Sequence, residues 1–167
     1  GLEHRRKKWG SFARWFLRQS EFMAVKWADV VVADNRGIEE YVKVEYGKKA
    51  EMIAYGGDHV LRQVSGEREA EVMEEYGVVA GEYAMSICRI EPENNCHVIL
   101  EAFEKSGKRL VFVGNWERSA YGKELKERYG ECENIRLVNS VYDLDVLYVL
   151  RKNARWYVHG HSAGGTN

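Results

Sequence analysis

The sequence predicts an α/β protein with parallel sheets, and two patterns along the chain predict this class. From Tyr83 onward, short apolar runs alternate with helical segments of about 10 to 12 residues, which is typical of a doubly wound sheet. The first 60 residues read as helix, strand, helix, strand. That order predicts a piece of a second parallel α/β unit, too small to form a complete domain.

The first element is predicted to be a helix rich in aromatic residues. Large apolar side chains recur in it at helical spacing: Trp9, Phe12, Phe16, Met23 and Trp27. The apolar run Val30–Ala33 shows no alternation and therefore predicts a buried strand. Asp34 or Asn35 is expected to cap the next helix, which Gly47 ends. Residues 51–58 predict a short strand that runs into a Gly-Gly turn.

The rest of the chain is expected to form a connection and a second unit. Residues 61–82 are charged and helical, which predicts an interdomain connection. The strands that follow are predicted at 84–88, 109–114, 135–138 and 156–160, and the helices between them at 95–106, 121–129 and 142–152. We therefore expect three parts. Residues 1–60 end an N-terminal domain, 61–82 form the connection, and 83–167 begin a C-terminal domain.

The composition is that of a globular protein, with 45% hydrophobic and 31% charged residues. No segment contains the roughly 20 consecutive apolar residues that a membrane span requires. Three widely spaced cysteines (Cys88, Cys96 and Cys132) indicate a reducing cytoplasm without a disulfide framework. The GxGxxG, GxxxxGK[ST] and GxSxG motifs do not occur, which excludes the dinucleotide fingerprint, a P-loop and a nucleophile elbow.

Charge is distributed unevenly along the chain. Residues 1–28 carry seven Lys/Arg and two Asp/Glu, a net charge of +5, and the remainder has a net charge of −6. A basic segment that contains Trp and Phe fits an anionic membrane surface or a nucleic acid. The alternative is a helix that buries its apolar face in the core and leaves its basic face in water.

Ligands of open α/β sheets bind at the carboxyl ends of the strands, so the residues after each strand are the candidate site. Arg89 follows the first strand of the second unit and can form two hydrogen bonds to a phosphate or carboxylate. The alternative is a surface Arg paired with Glu91 or Glu93. Gly114, Asn115 and Ser119 follow the next strand, where Gly114 would allow a close approach of the ligand. The alternative is an ordinary turn.

The last nine residues, HGHSAGGTN, predict a phosphate-binding turn after the fourth strand. Gly164 and Gly165 expose backbone N–H groups, and Thr166 adds a hydroxyl. A helix that began here would attract a phosphate to its N-terminus. His159 and His161 are an alternative as two ligands of a metal, although no Cys or carboxylate stands beside them.

Two segments resemble family 4 glycosyltransferases, which have the GT-B fold. SICRIEPENNCHVILEAF is similar to their GR(I/L)xPEKN…(L/I)xAF segment, and HGHSAGGTN resembles the segment that leads into their donor-phosphate helix. The variant HxHxxGGTN resembles a bacterial subgroup of rhamnosyltransferases. The N-terminal GLEHRRKKWGSFARWFL resembles the same subgroup, in which a Gly-Leu-Glu-x-x-Arg stretch precedes a Trp-rich helix.

The resemblance implies a GT-B-type α/β protein with two Rossmann-like units, both incomplete in this chain. The donor would bind the C-terminal domain and the acceptor mostly the N-terminal one. The donor diphosphate would be bound by Arg89, Asn94, Gly114, Gly164, Gly165, Thr166 and Asn167. The resemblance places Val141 and Tyr142 on the nucleobase side, and Glu3, Arg6, Gly57 and His161 on the acceptor and interdomain side.

Two positions depart from the family pattern. Asn94 stands where the family usually has a Lys that helps to bind the diphosphate, so this loop has one positive charge fewer. Gly164 aligns with the first Glu of the family's Glu-x7-Glu motif, and the second Glu would lie beyond Asn167. The chain therefore resembles the middle of a longer enzyme, and we expect this chain alone to lack transferase activity.

The resemblance implies a hexosyltransferase that moves a sugar from a nucleoside diphosphate donor, such as dTDP-rhamnose, to a cell-surface polysaccharide, a glycan or a lipid-linked acceptor. No cofactor, metal or nucleic-acid partner is expected, and the nucleotide sugar is a substrate. The expected location is the cytoplasm, with peripheral attachment to the inner face of the membrane left open. Two alternatives remain: a non-catalytic nucleotide-binding module, and a protein whose basic helix binds membranes or nucleic acid.

Overall fold

The computed structural model describes residues 9–161, which form two compact units. Residues 9–56 make up the N-terminal unit, and residues 57–161 make up the C-terminal unit. Each unit has its own hydrophobic core.

The N-terminal unit has the predicted order of helix, strand, helix, strand. Its elements are α1 (Ser11–Trp27), β1 (Val32–Ala33), α2 (Arg36–Tyr46) and β2 (Glu51–Met52), and the two strands are parallel. Asn35 caps α2 as predicted, because its side chain accepts a hydrogen bond from the Ile38 N–H at 3.0 Å. Gly47 ends the helix in the left-handed conformation, with a φ of 64°.

The prediction that Val30–Ala33 forms a buried strand is wrong in extent and in burial. Only Val32 and Ala33 pair with a neighbouring strand. Val30 and Val32 are more than half exposed, whereas Ala33 is buried. Val30 and Val32 are exposed because the described residues of this unit cover only one side of the two-stranded sheet. On that side Ala33 packs with Val25 and Val42.

The C-terminal unit contains a four-stranded parallel sheet with the strand order β5-β4-β3-β6. A short 3-10 helix (Asp58–Val60) comes first. The later elements are α3 (Gly66–Glu75), β3 (Tyr83–Ile87), α4 (Cys96–Ser106), β4 (Arg109–Val113), α5 (Ala120–Tyr129), β5 (Ile135–Val138), α6 (Leu144–Asn153) and β6 (Trp156–Tyr157). Each predicted strand and helix is present, and β6 stops earlier than predicted.

Helices cover both faces of this sheet, so the doubly wound prediction is confirmed. On one face, Leu110 and Phe112 of β4 pack with side chains of α4 and α5. On the other face, Val111 and Val113 of β4 pack with side chains of α3 and α6. The alternation along β4 follows from the two-residue period of a strand, and it divides the core into two layers.

The segment 61–82, which we predicted to be a connection, contributes α3 to the C-terminal unit. Val72 of α3 is fully buried in the core layer that α6 shares. Glu69 of α3 accepts hydrogen bonds from Lys152 at 2.7 Å and from Asn153 at 2.8 Å. These contacts explain why a strongly charged helix is ordered here: its apolar side faces the sheet, and its carboxylates face the basic end of α6.

No helix among residues 9–161 is long and apolar enough to cross a bilayer.

Gly122 in the first turn of α5 offers a test of the packing on the α4/α5 face. A Cβ at Gly122 would lie 2.4 Å from the backbone oxygen of Trp116, which cannot move without shifting the turn after β4. We expect Gly122→Ala to lower the free energy of unfolding by about 1–3 kcal/mol, the usual cost of overpacking. Chemical denaturation measures this change.

Gly66→Ala is the matched control, because Gly66 lies in the first turn of α3 and a Cβ there meets nothing within 4 Å. We expect it to be neutral or stabilising by up to about 1 kcal/mol. Equal effects of the two substitutions would contradict the tight packing of α5 against the turn.

Candidate functional site

The strand order defines one crevice at the carboxyl edge of the sheet. From β3 the chain proceeds to β4 and β5 in one direction, and it then returns to place β6 on the other side of β3. In open α/β sheets the ligand binds where the strand order reverses in this way. The crevice is therefore flanked by the loop between β3 and α4, residues 88–95, and by residues 158–161 after β6. We refer to this place as the switch-point crevice.

Arg89 lies at the beginning of the β3–α4 loop with its side chain in solvent. Its guanidinium group is 3.9 Å from the Glu91 carboxylate, and 62% of the side chain is exposed. An exposed ion pair at this distance contributes little to stability. The guanidinium can therefore leave Glu91 for a phosphate at little cost in free energy. The position of Arg89 is compatible with both alternatives, a surface ion pair and a phosphate-binding group.

Asn94 is turned into the protein. Its side chain is 1% exposed, and its amide donates a hydrogen bond of 2.6 Å to the backbone carbonyl of Arg89. The Asn94 amide therefore fixes the backbone of the loop that carries Arg89. A direct role of Asn94 in binding a diphosphate stays a prediction.

Asn95, which the sequence patterns do not single out, connects the two sides of the switch-point crevice. Its side-chain amide donates a hydrogen bond of 2.7 Å to the backbone carbonyl of Gly160, which follows β6. A Cβ at Gly160 would lie 2.5 Å from the carbonyl oxygen of Asn94, so the two segments touch at their backbones. A glycine three residues after a strand and an Asn-Asn pair after another strand were the available signal, but only the fold places them together.

Two thiols lie at the base of the β3–α4 loop. The sulfur atoms of Cys88 and Cys96 are 3.8 Å apart, and Cys96 is fully buried. The hydrogen bond with Cys96, together with burial, raises the pKa of the Cys88 thiol well above its usual value. Cys88 therefore stays protonated at neutral pH, and the two thiols pack against each other at the base of the loop.

The turn after β4 is built around a buried tryptophan. Trp116 is fully buried, and its indole N–H donates a hydrogen bond of 3.0 Å to the carbonyl of Val138 at the end of β5. The space that a side chain at Gly114 would need is occupied by Ile90, whose Cδ1 would be 2.4 Å from a Cβ. Ser119 caps α5 by accepting a hydrogen bond from the Gly122 N–H, and Asn115 is exposed. The role of Gly114 toward a diphosphate stays a prediction.

The predicted nucleobase side follows β5. Val141 is half-buried against the α3/α6 core layer, and the Tyr142 side chain is 86% exposed. Asp143 caps α6, and the backbone N–H groups of Val146 and Asp145 lower the pKa of its carboxyl group. Tyr142 is thus available to a ligand, whereas Asp143 is engaged in the helix cap.

The two histidines after β6 stack on each other. The ring centroids of His159 and His161 are 3.8 Å apart, and their Nδ1 atoms are 3.0 Å apart. Among residues 9–161 no group of three or more His, Cys, Asp or Glu side chains is arranged to hold a metal ion. The stacked pair lies in the segment after β6, at the rim of the switch-point crevice.

Several predicted site residues lie outside the described residues. These are Glu3, Arg6, Gly164, Gly165, Thr166 and Asn167. Gly57 is described, and it is exposed immediately before the short 3-10 helix.

Comparisons with known proteins identify the fold class. Three solved structures of Anabaena Alr3699/HepE are similar to this chain, at 17–18% sequence identity. The complex with UDP and glucose has a TM-score of 0.70, with coverage of 89% of this chain and 42% of HepE. The complex with UDP-glucose has a TM-score of 0.71, with coverage of 93% and 44%. The complex with UDP also has a TM-score of 0.71, with coverage of 96% and 45%.

The likeness to HepE confirms the expected GT-B-type α/β fold, and the chain spans less than half the length of HepE. Residues 1–58 match a family model described as a domain of unknown function, DUF1972. No curated protein matches the sequence.

A substitution at Asn94 tests how much its buried hydrogen bond stabilises the β3–α4 loop. In Asn94→Asp, an acceptor replaces the N–H donor opposite the Arg89 carbonyl, and a charge is placed where 1% of the side chain is exposed. We expect the free energy of unfolding at neutral pH to fall by about 1–3 kcal/mol. Urea denaturation measures it. Asn115→Asp is the control in the exposed turn after β4, and a loss of the same size there would show that the Asn94 hydrogen bond is not the cause.

Proposed function

We propose that the whole protein is a glycosyltransferase that uses a nucleoside diphosphate sugar as its donor. The observation that carries the proposal is the position of Arg89, a solvent-exposed guanidinium group at the switch point of a GT-B-type sheet. The HepE structures with the same fold hold UDP, glucose or UDP-glucose. The proposal refers to the whole protein because this chain spans less than half the length of HepE.

Arg89 would act on the charge that the leaving group develops. When the bond between the sugar and the diphosphate breaks, negative charge accumulates on the diphosphate oxygens. A guanidinium group held near those oxygens stabilises the transition state more than the ground state, and only such a difference accelerates the reaction. The hydrogen bond from Asn94 fixes the backbone of Arg89, from which the guanidinium group extends toward the crevice.

The proposal extends to the nucleotide, the sugar and the acceptor. The resemblance of HxHxxGGTN to rhamnosyltransferases favours a hexosyltransferase with a dTDP-rhamnose donor and a polysaccharide, glycan or lipid-linked acceptor. UDP and dTDP differ at the pyrimidine methyl group and at the 2′ position of the pentose. Comparing the affinities for the two therefore tests which nucleotide the protein binds. The proposed donor is a substrate, and the proposed chemistry uses no cofactor.

A non-catalytic nucleotide-binding module is the second candidate. Asn94 replaces a Lys of the family pattern, and its buried amide brings no positive charge to the crevice. Such a module would bind the nucleotide without transferring a sugar. Hydrolysis or transfer of the sugar by the full-length protein distinguishes the enzyme from the module.

Both candidate functions require that the Arg89 side chain bind the nucleotide, so a substitution at Arg89 tests both. We expect Arg89→Ala in the full-length protein to weaken binding of UDP or dTDP by about 1.5–3 kcal/mol, because a charge-assisted hydrogen bond is lost. Calorimetric titration measures the affinity. Arg109→Ala is the matched control, since Arg109 is exposed at the amino end of β4, at the opposite edge of the sheet.

Unchanged affinity of Arg89→Ala for both nucleotides would show that Arg89 is a surface residue. Equal losses in both variants would show that the effect reflects net charge alone.

We also propose that α1 attaches the protein peripherally to the cytoplasmic face of an anionic membrane. Large apolar side chains lie exposed on α1, among them Phe12 at 76%, Phe16 at 56% and Trp27 at 70%. Arg14, Arg18 and Lys26 on the same helix are exposed as well. Aromatic side chains that enter the interface next to basic groups are typical of helices that lie on a membrane surface.

The membrane proposal predicts binding that depends on lipid charge. We expect the protein to co-sediment with vesicles that contain anionic lipid, and to be released as salt is raised, because each basic residue near the surface contributes about 1 kcal/mol. The double variant Phe12→Ala/Phe16→Ala should reduce the bound fraction strongly.

Val44→Ala is the control for an exposed apolar residue on another helix of the same unit, since Val44 on α2 is 77% exposed. A protein that stays in the supernatant at low salt would contradict the membrane proposal and favour the alternative in which this face of α1 is covered by protein.

A further inference from the structure

We propose that Asn95 is the positioning residue of the switch-point crevice, which holds the segment of His159 and His161 against the loop of Arg89. The inference rests on the proposed function, because it concerns the geometry in which the nucleotide is bound. Three observations carry it: the backbone conformation of Asn95, the contact at Gly160, and the short pairing of β6.

The backbone of Asn95 adopts a conformation that favours glycine. Its φ is 52° and its ψ is 34°, and it is the non-glycine residue with positive φ among residues 9–161. A side chain in the left-handed region usually costs free energy that glycine avoids. Asn adopts this region more readily than other non-glycine residues, because its short amide side chain can make a hydrogen-bonding contact.

The side chain of Asn95 makes that contact across the crevice rather than locally. Asn commonly caps the helix that follows it, yet the Asn95 side chain accepts no hydrogen bond from the first turn of α4. Its amide instead donates to the Gly160 carbonyl at 2.7 Å, across 65 positions of sequence. The hydrogen bond joins the loop that precedes α4 to the segment that follows β6.

Gly160 allows the segment after β6 to reach the loop. A Cβ at Gly160 would lie 2.5 Å from the Asn94 carbonyl oxygen and 2.9 Å from the Cδ1 of Ile99. The first of these atoms is backbone and cannot yield as a flexible side chain would. Gly160 allows the two backbones to approach, and the Asn95 amide holds them together. Both residues therefore stabilise the same contact between the β3–α4 loop and the segment after β6.

The sheet itself guides this segment over a short distance only. β6 pairs with β3 through Trp156 and Tyr157, and Val158 then donates its N–H to the Met85 carbonyl at 2.8 Å. His159 and His161 lie beyond that hydrogen bond. The Asn95 amide fixes the Gly160 carbonyl between the two histidines, so it determines where their backbone lies relative to β3.

The neighbouring Asn94 completes the connection to Arg89. Its amide donates to the Arg89 carbonyl at 2.6 Å, so adjacent asparagines fix the two rims of the crevice. The backbone of Arg89 on one rim and the backbone of the two histidines on the other are thereby held at one separation before a ligand arrives. A site ordered in advance binds more tightly, because less conformational freedom is lost on binding.

Asn95→Gly removes the amide and keeps the backbone conformation. We expect the affinity of the full-length protein for UDP to fall by roughly 3- to 10-fold, the range that the loss of one net hydrogen bond gives. The melting temperature should change little, since glycine adopts the left-handed conformation readily. In hydrogen exchange, the amides of residues 159–161 should exchange faster, while those of the β3–β4 ladder should not.

Asn134→Ala is the matched control. The Asn134 amide also donates to backbone carbonyls, those of Phe103 at 2.8 Å and Lys108 at 2.9 Å. These carbonyls lie at the amino edge of the sheet, opposite the switch-point crevice. We expect this variant to have a lower melting temperature and an unchanged affinity for UDP. A loss of affinity in Asn134→Ala equal to that in Asn95→Gly would overturn the inference, because it would show a general effect of stability.

Gly160→Ala tests the same contact from the other side. It should also weaken UDP binding, and the double variant with Asn95→Gly should lose less than the sum of the two single losses, because both act on one contact. Unchanged exchange of residues 159–161 in Asn95→Gly, or unchanged affinity for UDP beside a wild type that binds it, overturns the inference alone. A wild type that binds neither UDP nor dTDP overturns the proposed function and this inference with it.

Discussion

The burial of β3 between two helical layers is the constraint on which the C-terminal unit depends. Tyr83, Ala84 and Met85 are at most 1% exposed, and β3 pairs with β4 on one side and with β6 on the other. Successive residues of β3 face opposite layers, so a shift of register by one residue would exchange their environments. The register of β3 therefore fixes where the strand ends, and with it the position of the loop that begins at Cys88.

Elements that depend on local pattern could be predicted from the sequence. The apolar runs and the helical spacing predict the four strands and α4, α5 and α6 of the C-terminal unit, because its sheet is buried on both faces and its helices on one. The same reasoning fails at Val30–Ala33, where an apolar run stands in a two-stranded sheet with little to cover it. It also extends β6 too far, because the composition of residues 158–160 does not show where pairing stops.

The strand order could not be predicted in this way. Periodicity indicates which face of a strand is buried, but it carries no information about which strand lies beside it. The sequence therefore places Arg89 after a strand without identifying the crevice at which that strand ends. The position of β6 next to β3 supplies this information, and it brings together residues 65 positions apart, Asn95 and Gly160.

Asn94 and Asn95 show that the contacts of a single side chain could not be predicted from residue type. The two are adjacent and identical in type, yet one is buried and bonded within its own loop and the other reaches a different strand end. The family pattern distinguishes Asn94 from Asn95, because a Lys usually stands at position 94. The left-handed backbone of Asn95 decides the direction of the second amide, and a sequence read residue by residue contains no direct sign of it.

The buried indole of Trp116 makes the C-terminal unit visible to spectroscopy. Of the five tryptophans, Trp9, Trp15, Trp27 and Trp156 are exposed, whereas Trp116 is fully buried and packs edge-on against Phe112 at 5.1 Å. An indole in apolar surroundings emits at shorter wavelength than one in water and is shielded from soluble quenchers. Quenching with acrylamide therefore leaves a residual blue emission from one known position, and that emission reports on the turn between β4 and α5 alone.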